Sequence, residues 1–585
     1  MRSAALRRPF VILSLIVAPV LGGAAENGSS RLVREVGDAY LQAVTRESPM
    51  RQLKLGLPLD RFPDYSFVGA ERRSKEAATP LARLANVRPG ELTHEESLSV
   101  DVLTRQLQAR VDGPKGFYFQ PQVTPYSSPI GLAAQVFAAM PLAKGEDRAR
   151  YLGRLDDMKT LAATLGANLD GQVARGIRVP KPELVMVEGF LKSFSATGEA
   201  SPFRPAAERL AAVPAVDRDA FLASVDSKIE TVVAPAISGL AAALRGDYAA
   251  KAPESVGLWQ YPGGLDAYRA LVKAHTTMDV TPEEVHAIGL KNVARVSGEM
   301  TKIREELKFT GTQAEFKASL KANPKLFPKT AEEIGERLMS FVHKIEPVVD
   351  RYFGRKPVAP YGVKRLDPQL EPGQTFGYYS VPTALDPVGY YRYNGSSLSD
   401  RSLLNAGALI YHELVPGHHF QINLTYENKG IPEFRRESFD TAFTEGWGDY
   451  ASHLAGEMAM YGDPYDHYGR LAMEMFISVR LVVDTGMNAL GWSRERAIAY
   501  MKENAMETDT QIASETLRYS CDLPGQALAY RMGSNRILEL REQARAALGP
   551  KFDIRKFHDW ILGSGSLPMT TLGRHVHVFI DQEKK

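Results

Sequence analysis

Cysteine is almost absent from this sequence of 585 residues, which contains a single one, Cys521. No disulfide can therefore form within the chain. A chain of this length can build a hydrophobic core without disulfides, even in an oxidising compartment. We expect Cys521 to be a small packed residue and not a nucleophile.

An excess of charge of one sign is also missing. The chain has 71 Lys and Arg residues against 69 Asp and Glu residues, a formal net charge of +2. It contains no polybasic run, acidic tail, low-complexity block or internal repeat of fixed period. This balance gives no reason to expect a nucleic acid or an anionic membrane as a partner. The missing repeat argues against a solenoid fold.

Long apolar runs are missing except near the N-terminus. Three arginines precede an apolar segment at residues 10–21, and small residues follow at 23–25. The segment is too short to cross a bilayer with margin, so the pattern predicts a signal peptide over residues 1–25 and a periplasmic or secreted protein without a stable membrane anchor. An uncleaved anchor is the alternative. The pair Arg7-Arg8 also resembles a twin-arginine signal.

Helical patterns dominate the rest of the chain. Thr281 followed by Pro282 and two glutamates is typical of a helix start. Apolar residues recur at three- and four-residue intervals over 206–244, 330–352 and 493–506, as amphipathic helices require.

The pattern changes over residues 356–394, which are rich in Pro, Gly and Tyr. This composition predicts loops and a small sheet. We therefore predict a mostly α fold with a small β element. The turn signal near residue 262 suggests an N-terminal helical region at 26–270 and a catalytic region at 271–585. One continuous body is the alternative.

The most specific feature is the run His412-Glu413-Leu414-Val415-Pro416-Gly417-His418-His419. Clustered imidazoles beside a carboxylate are the components of a catalytic Zn²⁺ site. Glu413 directly follows His412, the spacing at which zinc peptidases carry their general base. The alternative is a helix end with exposed histidines.

The second histidine ligand is open between two candidates. On a regular helix His418 lies about 240° around from His412, and His419 lies nearly on the same face but about 10 Å along the axis. Pro416 and Gly417 should interrupt the helix. A bulge that absorbs two residues would bring His418 to the face of His412.

The third ligand should be a carboxylate on the next predicted helix, residues 438–458. Glu445, Asp449 and His453 are spaced by four and share one face. We predict Glu445 as the ligand. Asp449 is a candidate acceptor for the free ring N–H of a ligand histidine, with a surface acid as the alternative. We expect His453 to be structural.

Groups that stabilise the transition state should come from further along the chain. Tyr519 and Tyr530 are candidate hydroxyl donors to an oxyanion, and Arg518 is a candidate for binding a substrate carboxylate. A buried aromatic or a surface cation is the alternative for each. Glu413 is the predicted general base, which takes a proton from zinc-activated water and passes it to the leaving amine.

The chain resembles a large bacterial family catalogued as a domain of unknown function, which is itself similar to gluzincin zinc peptidases such as carboxypeptidase Taq and the thimet and neurolysin oligopeptidases. In those peptidases a Gly-His pair closes the His-Glu motif, which favours His418 over His419. The segments that carry the resemblance are 276–284, 412–421, 445–447, 483–486, 524–528 and 562–565.

The resemblance implies a two-lobed helical metallopeptidase-like fold with a central channel. It also implies Zn²⁺ ligation by His412, His418 and Glu445. Two positions depart from the family pattern. Gly448-Asp449 stand where the family carries an apolar pair, and Asn488 stands where it carries a histidine. If the family histidine contacts the substrate or polarises the carbonyl, Asn488 predicts altered specificity or reduced activity. Neither departure removes a predicted ligand.

The predicted function is a zinc-dependent metallopeptidase that hydrolyses short peptides. A zinc hydrolase of a non-peptide amide would use the same site chemistry. A non-catalytic periplasmic peptide-binding protein is the third hypothesis, although such a protein has no need of an acid at Glu413. The sequence leaves open which peptide bond is cleaved, the physiological substrate and the oligomeric state.

Overall fold

The structure is a computed structural model that describes residues 27–368, 371, 376–383 and 386–585. The predicted signal peptide at 1–25 lies outside the described residues. The described chain is mostly α-helical, as predicted, with one small open sheet.

The helices up to residue 276 include most of the predicted N-terminal region. They are α1 (Gly28–Glu47), α2 (Pro49–Lys54), α3 (Phe67–Leu84), α4 (His94–Gly116), α5 (Pro129–Ala139), α6 (Gly145–Val173), α7 (Lys181–Phe194), α8 (Ala215–Lys228), α9 (Ala234–Ala243), α10 (Asp247–Lys251) and α11 (Gly264–Thr276).

The later helices include those that carry the histidine motif and Glu445. They are α12 (Pro282–Glu306), α13 (Gln313–Lys321), α14 (Ala331–Ile345), α15 (Ala406–Glu413), α16 (His418–Glu427), α17 (Glu433–Arg436), α18 (Thr441–Glu457), α19 (Pro464–Asn488), α20 (Arg494–Asn504), α21 (Asp509–Leu517), α22 (Leu528–Leu548), α23 (Ile554–Gly563) and α24 (Met569–Lys584).

The predicted helix start at Thr281 is confirmed. Its hydroxyl accepts the Glu284 N–H at 3.2 Å, and the Glu284 carboxylate accepts the Thr281 N–H at 2.8 Å. These reciprocal bonds satisfy two donors that a helix N-terminus otherwise leaves unpaired. The helix predicted over 206–244 begins later than expected, because α8 starts only at Ala215 and a π-helical turn, Ile229–Val233, joins it to α9.

The small sheet predicted within 356–394 is present. Its strands are β1 (Tyr361–Arg365), β2 (Gly377–Ser380) and β3 (Gly389–Tyr393). β3 is central, parallel to β1 with Tyr361 opposite Gly389, and antiparallel to β2 with Gly377 opposite Tyr393. β2 is therefore an edge strand.

Several hydrophobic clusters hold the helices together. The largest joins α1, α3 and α4 to the helices of the histidine motif and to α22–α24. A second lies within α5–α10, and a third joins α12 and α13 to α19–α21 and contains the buried Cys521. The first helices of the predicted N-terminal region thus share a core with the metal helices, and the boundary near residue 270 stays a prediction.

In the described part of the chain, residues 215–251 are long and apolar enough to cross a membrane by length and composition. The inner side of this stretch packs in the second hydrophobic cluster through Phe221, Val225, Ile229 and Val233. One face of this stretch is thus packed against the rest of the protein.

Candidate metal centre

The histidine motif lies on two separate helices. α15 ends at Glu413 and α16 begins at His418, so the four residues between them are not helical. The predicted interruption at Pro416 and Gly417 is confirmed, although it is a complete break and not a bulge within one helix. The break is held from outside, because the Trp447 indole N–H donates to the Pro416 carbonyl at 2.9 Å.

Gly417 allows the chain to turn back against the end of α15. A Cβ atom at this position would lie 1.8 Å from the carbonyl oxygen of His412, where no side chain fits. This close approach brings His418 beside His412. Their ring centroids are 4.6 Å apart and the rings are nearly perpendicular, at 80°. Glycine is thus required here for backbone contact with the residue that precedes the general base.

Glu445 on α18 completes the cluster. Its Oε2 atom lies 3.5 Å from His412 Nε2 and 3.4 Å from His418 Nε2. These separations exceed those of ordinary N–H···O hydrogen bonds. They match the spacing of about 3.4 Å expected between ligand atoms placed tetrahedrally at about 2.1 Å from a zinc ion. The predicted ligands form the one such group of three, with ligand atoms within 4.8 Å, among the residues that the structure describes.

The two imidazoles both face Glu445 with Nε2. The Nδ1 atom of each is buried and has no hydrogen-bond partner in the described chain. This leaves each ligand histidine without the supporting acceptor that commonly orients such residues. The ring positions are fixed instead by packing. The clearest case is Gly448, where an added Cβ would lie 2.6–2.8 Å from three atoms of the His412 ring.

Charge interactions within the cluster favour charged forms of Glu445 and His418. Burial alone would raise the pKa of Glu445, but the two imidazoles outweigh it and hold that pKa well below its usual range. Burial alone would lower the pKa of His418, but the Glu445 carboxylate raises it. A divalent cation would displace the proton of His418, because a histidine ligand is neutral, and would meet the charged Glu445 carboxylate.

Glu413 lies next to the cluster but does not join it. Burial raises its pKa, and His418 and His412 offset this only in part. The backbone N–H of Tyr379 on the edge strand β2 lies near its carboxylate and offsets the effect of burial a little further. No sequence pattern indicates this proximity, because it depends on how the sheet is placed against α15.

His419, the alternative ligand, holds that sheet. Its Nε2 donates to the Ala359 carbonyl at 3.0 Å, so its Nδ1 is an acceptor that faces the Tyr379 hydroxyl at 2.9 Å. Asn423 also bonds to the Tyr379 hydroxyl at 2.9 Å. Burial lowers the pKa of His419 to about 4, which keeps the ring neutral. His419 thus positions the strand that contacts Glu413, and His418 occupies the cluster.

α18 and α22 cross at two glycines, which sets the second side of the site. A Cβ at Gly533 would lie 1.9 Å from the Ala442 carbonyl oxygen, and a Cβ at Gly446 would lie 2.6 Å from Gly533. This crossing places Tyr530, one turn before Gly533, against the metal residues. Its ring is nearly parallel to that of His412, with centroids 6.2 Å apart.

The candidates Tyr530 and Tyr519 differ in what their hydroxyls contact. Burial and the nearby Glu445 raise the pKa of Tyr530, which keeps it protonated as a donor. Tyr519 is fully buried, and its hydroxyl is bonded to Arg480 and Glu515. The structure therefore brings Tyr530 to the cluster and gives no support to an oxyanion role for Tyr519.

Asp449 was predicted as the acceptor for the ring N–H of a ligand histidine, but in the described chain it makes no such hydrogen bond. Its carboxylate accepts a bond from Arg531 on α22 at 3.1 Å, and Arg531 also pairs with Glu474 on α19 at 2.8 Å. All three side chains are buried. This network joins the three helices, so the departure from the family pattern at Asp449 has a structural role.

Asn488, the other departure, also joins separate segments. Its amide donates to the Tyr519 carbonyl at 2.9 Å, and its oxygen accepts the Leu258 N–H at 3.1 Å. Asp484, one turn earlier on α19, accepts a further bond from the same amide at 3.1 Å. Asn488 thus fixes the turn that carries Arg518 and Tyr519.

The chain is similar to two solved structures over nearly its whole length. A candidate lipoprotein from Colwellia psychrerythraea is 28% identical, with a TM-score of 0.88, and the match covers 94% of this chain and 100% of that one. A candidate lipoprotein of unknown function from Shewanella oneidensis is 17% identical, with a TM-score of 0.71 and coverage of 93% and 99%. The second likeness shows the fold alone. No curated protein sequence matches the chain.

A family model for bacterial proteins of unknown function, DUF885, matches residues 49–576. The match includes α15, α16 and α18, which carry the whole metal cluster, together with Glu413 and Tyr530. The family predicted from the histidine motif is confirmed, whereas the family description names no activity. The chain belongs to this bacterial family, DUF885.

Proposed function

We propose that the protein is a zinc-dependent metallopeptidase that hydrolyses short peptides. The observation that carries the proposal is the convergence of His412, His418 and Glu445 at tetrahedral spacing, with Glu413 directly beside them. Three protein ligands leave a fourth position open, which is the composition of catalytic and not of structural zinc sites.

Each residue of the site has a role in the proposed reaction. A bound zinc ion supplies Lewis acidity, which makes an attached water more acidic and polarises a carbonyl group. Glu413 accepts a proton from the attacking water and returns it to the leaving amine. The Tyr530 hydroxyl donates a hydrogen bond to the carbonyl oxygen as negative charge develops there.

The choice of short peptides as substrates rests on the sequence resemblance. The similarity to gluzincin peptidases implies a two-lobed fold with a central channel, which would exclude folded proteins. The N-terminal pattern and the description of similar proteins as candidate lipoproteins support export. We therefore propose a periplasmic or secreted peptidase.

The proposal is tested with a library of short peptides and mass spectrometry, after metal analysis of the purified protein. We expect about one zinc per chain and cleavage that a zinc chelator abolishes. If zinc-loaded protein leaves all peptides intact but hydrolyses acylated amino acids, a non-peptide amide is the substrate. If the protein is free of zinc and retains a bound peptide, it is a binding protein.

The general base is tested separately with Glu413→Gln. The amide cannot accept the proton, so kcat should fall by about 100- to 10,000-fold while zinc binding is retained. Glu336→Gln on the exposed face of α14 is the matched control and should keep full activity. An active, zinc-loaded Glu413→Gln variant would overturn the assignment of Glu413.

A further inference from the structure

Tyr530 lies between the metal cluster and two arginines. Its ring faces His412 on one side, and the Arg480 guanidinium lies 4.9 Å from its centroid. The Tyr530 hydroxyl is also within reach of the Arg518 side chain. A ligand group that binds Arg518 would therefore lie about one tyrosine side chain away from the cluster.

Burial alone would lower the pKa of Arg518, but Glu515 and Tyr530 beside it raise that pKa, so the guanidinium stays charged. In the described chain one carboxylate, Glu515, comes within ion-pair distance, at 3.4 Å from Nη1. Arg518 Nε is buried without a hydrogen-bond partner there. The Glu515 oxygens already accept bonds from Gln511 at 2.9 Å, from Arg480 at 3.2 Å and from the Tyr519 hydroxyl. Two guanidinium groups thus share one carboxylate, and Arg518 keeps N–H donors that a second carboxylate can use.

Asp484 lies within electrostatic range of Arg518 but does not pair with it. Its carboxylate accepts the Tyr268 hydroxyl at 2.7 Å and the Gly525 N–H at 3.0 Å. Burial raises the pKa of Asp484 to about 7, so it carries only part of a negative charge at neutral pH. Asp484 is therefore not an ion-pair partner of Arg518.

The surroundings of Arg518 suit a carboxylate that arrives from solvent. Its guanidinium lies over the ring of Tyr126, which is 46% exposed, with 5.4 Å to the ring centroid. Arg518 also donates to the Gln526 amide oxygen at 2.7 Å. Because that oxygen is the acceptor, Gln526 keeps its Nε2 donors for a further partner.

We propose that Arg518, with Gln526 beside it and Tyr126 beneath its guanidinium, binds the free C-terminal carboxylate of the substrate. This inference rests on the proposed peptidase function and makes the protein a C-terminal exopeptidase. An extended residue spans about 3.5 Å, so a gap of one tyrosine side chain corresponds to the release of about one or two residues.

The reaction balances as a simple hydrolysis. The amide C–N bond breaks, the water oxygen joins the acyl carbon, and a proton passes to the nitrogen of the C-terminal fragment. The leaving fragment carries the carboxylate held by Arg518. A guanidinium binds such a carboxylate through two parallel N–H···O bonds, which also fixes the direction of the peptide.

The test uses two peptides that differ only at the C-terminus, one a free acid and one an amide. We expect kcat/KM for the acid to exceed that for the amide by about 100-fold, with C-terminal fragments as the products. Arg518→Gln should lower kcat/KM for the acid much more than for the amide, so that the acid-to-amide ratio falls towards one. Arg518→Lys keeps the charge and should lie between them. Arg545→Gln, an exposed arginine on α22, is the control.

Binding separates this inference from the proposed function. Zinc-loaded Glu413→Gln protein should bind the acid at least about 30-fold more tightly than the amide by calorimetry, and the added change Arg518→Gln should abolish the difference. Equal cleavage or equal binding of the two peptides overturns the carboxylate site and leaves the peptidase proposal intact. Zinc-loaded wild-type protein that binds the acid selectively but cleaves neither peptide overturns the peptidase proposal alone.

Discussion

The metal cluster and a second acidic site each bury a carboxylate, but the pKa of that carboxylate is lowered at the first site and raised at the second. Glu445 faces two imidazoles, and its pKa is held low although burial alone would raise it. Glu183 on α7 is 1% exposed, and both of its carboxylate oxygens lack hydrogen-bond partners among the described residues. Burial and the neighbouring Asp522 raise its pKa. Burial acts in the same direction at both sites, so the partners decide the charge.

The comparison also separates function from stability. Glu445 is 16% exposed, and its carboxylate faces the Nε2 atoms of two imidazoles. The pair of Glu183 and Asp522 is enclosed, and one Asp522 oxygen also lacks a partner. A charged carboxylate that is buried without donors lowers the free energy of unfolding. The Glu445 cluster is therefore prepared for a cation. The Glu183–Asp522 pair holds protons, and it lowers the free energy of unfolding where these protons are lost.

Removal of one partner of Glu445 should have the largest effect. His418→Ala should weaken zinc binding by about 1000-fold, because about 10–16 kcal/mol of apparent zinc-binding free energy, shared among three protein ligands, is about 3–5 kcal/mol for each. His419→Ala is the matched control next to it in the chain and should bind zinc within about threefold of wild type. Zinc titration with a competing chelator measures both, and the reverse result would assign the ligand to His419.

Removal of the titratable carboxyl group at the enclosed site should have the next largest effect. The pKa of Glu183 is raised in the folded state, so the folded protein holds a proton that the unfolded chain releases above pH of about 4.3. Stability is then lost as pH rises from that value towards the raised pKa. Glu183→Gln should remove this loss and stabilise the protein by about 2 kcal/mol at pH 8 relative to wild type, with little difference at pH 4.

Urea denaturation at the two pH values measures this effect. Glu188→Gln on the same helix is the control, because Glu188 is exposed and paired with Arg245. Its free energy of unfolding should follow that of the wild type at both pH values. A Glu183→Gln variant with the wild-type pH dependence would show that Glu183 is charged in the folded protein.

The sequence was sufficient for features that depend on local backbone chemistry. The break at Pro416 and Gly417 follows from the missing N–H of proline and the freedom of glycine. The capped start of α12 and the small sheet within 356–394 follow from capping and turn residues. The metal group follows from the same logic, because once the helix breaks after Glu413, His418 is free to face His412.

Features that depend on helix packing could not be predicted. Asp449 and Arg531 are 82 positions apart, and no local pattern links them. The sequence offers no reason to prefer Tyr530 over Tyr519 as the oxyanion donor. Only the crossing of α18 and α22 at Gly446 and Gly533 places Tyr530 at the metal cluster. The sequence marked position 448 as unusual but could not show that its glycine makes room for a ligand ring.

Gly448 gives the test with the smallest expected effect, because it determines how close the His412 imidazole lies to Glu445. Gly448→Ala would place a methyl group 2.6–2.8 Å from the His412 ring, which must then shift. We expect zinc binding about tenfold weaker, within the range seen when support for a metal ligand is lost. Gly456→Ala, on the same helix and with ordinary contacts of 3.6 Å or more, should leave zinc binding unchanged.

The stability of the zinc-free variants shows whether Gly448→Ala moves the His412 ring or disrupts α18 itself. Alanine is favoured over glycine inside a helix by about 0.5–1 kcal/mol, so Gly456→Ala should be slightly more stable than wild type in the absence of zinc. If the His412 ring moves aside easily, zinc-free Gly448→Ala should be nearly as stable as wild type and still bind zinc poorly. If Gly448→Ala binds zinc like the wild type, α18 does not confine His412, and the break at Gly417 alone would set the geometry of the cluster.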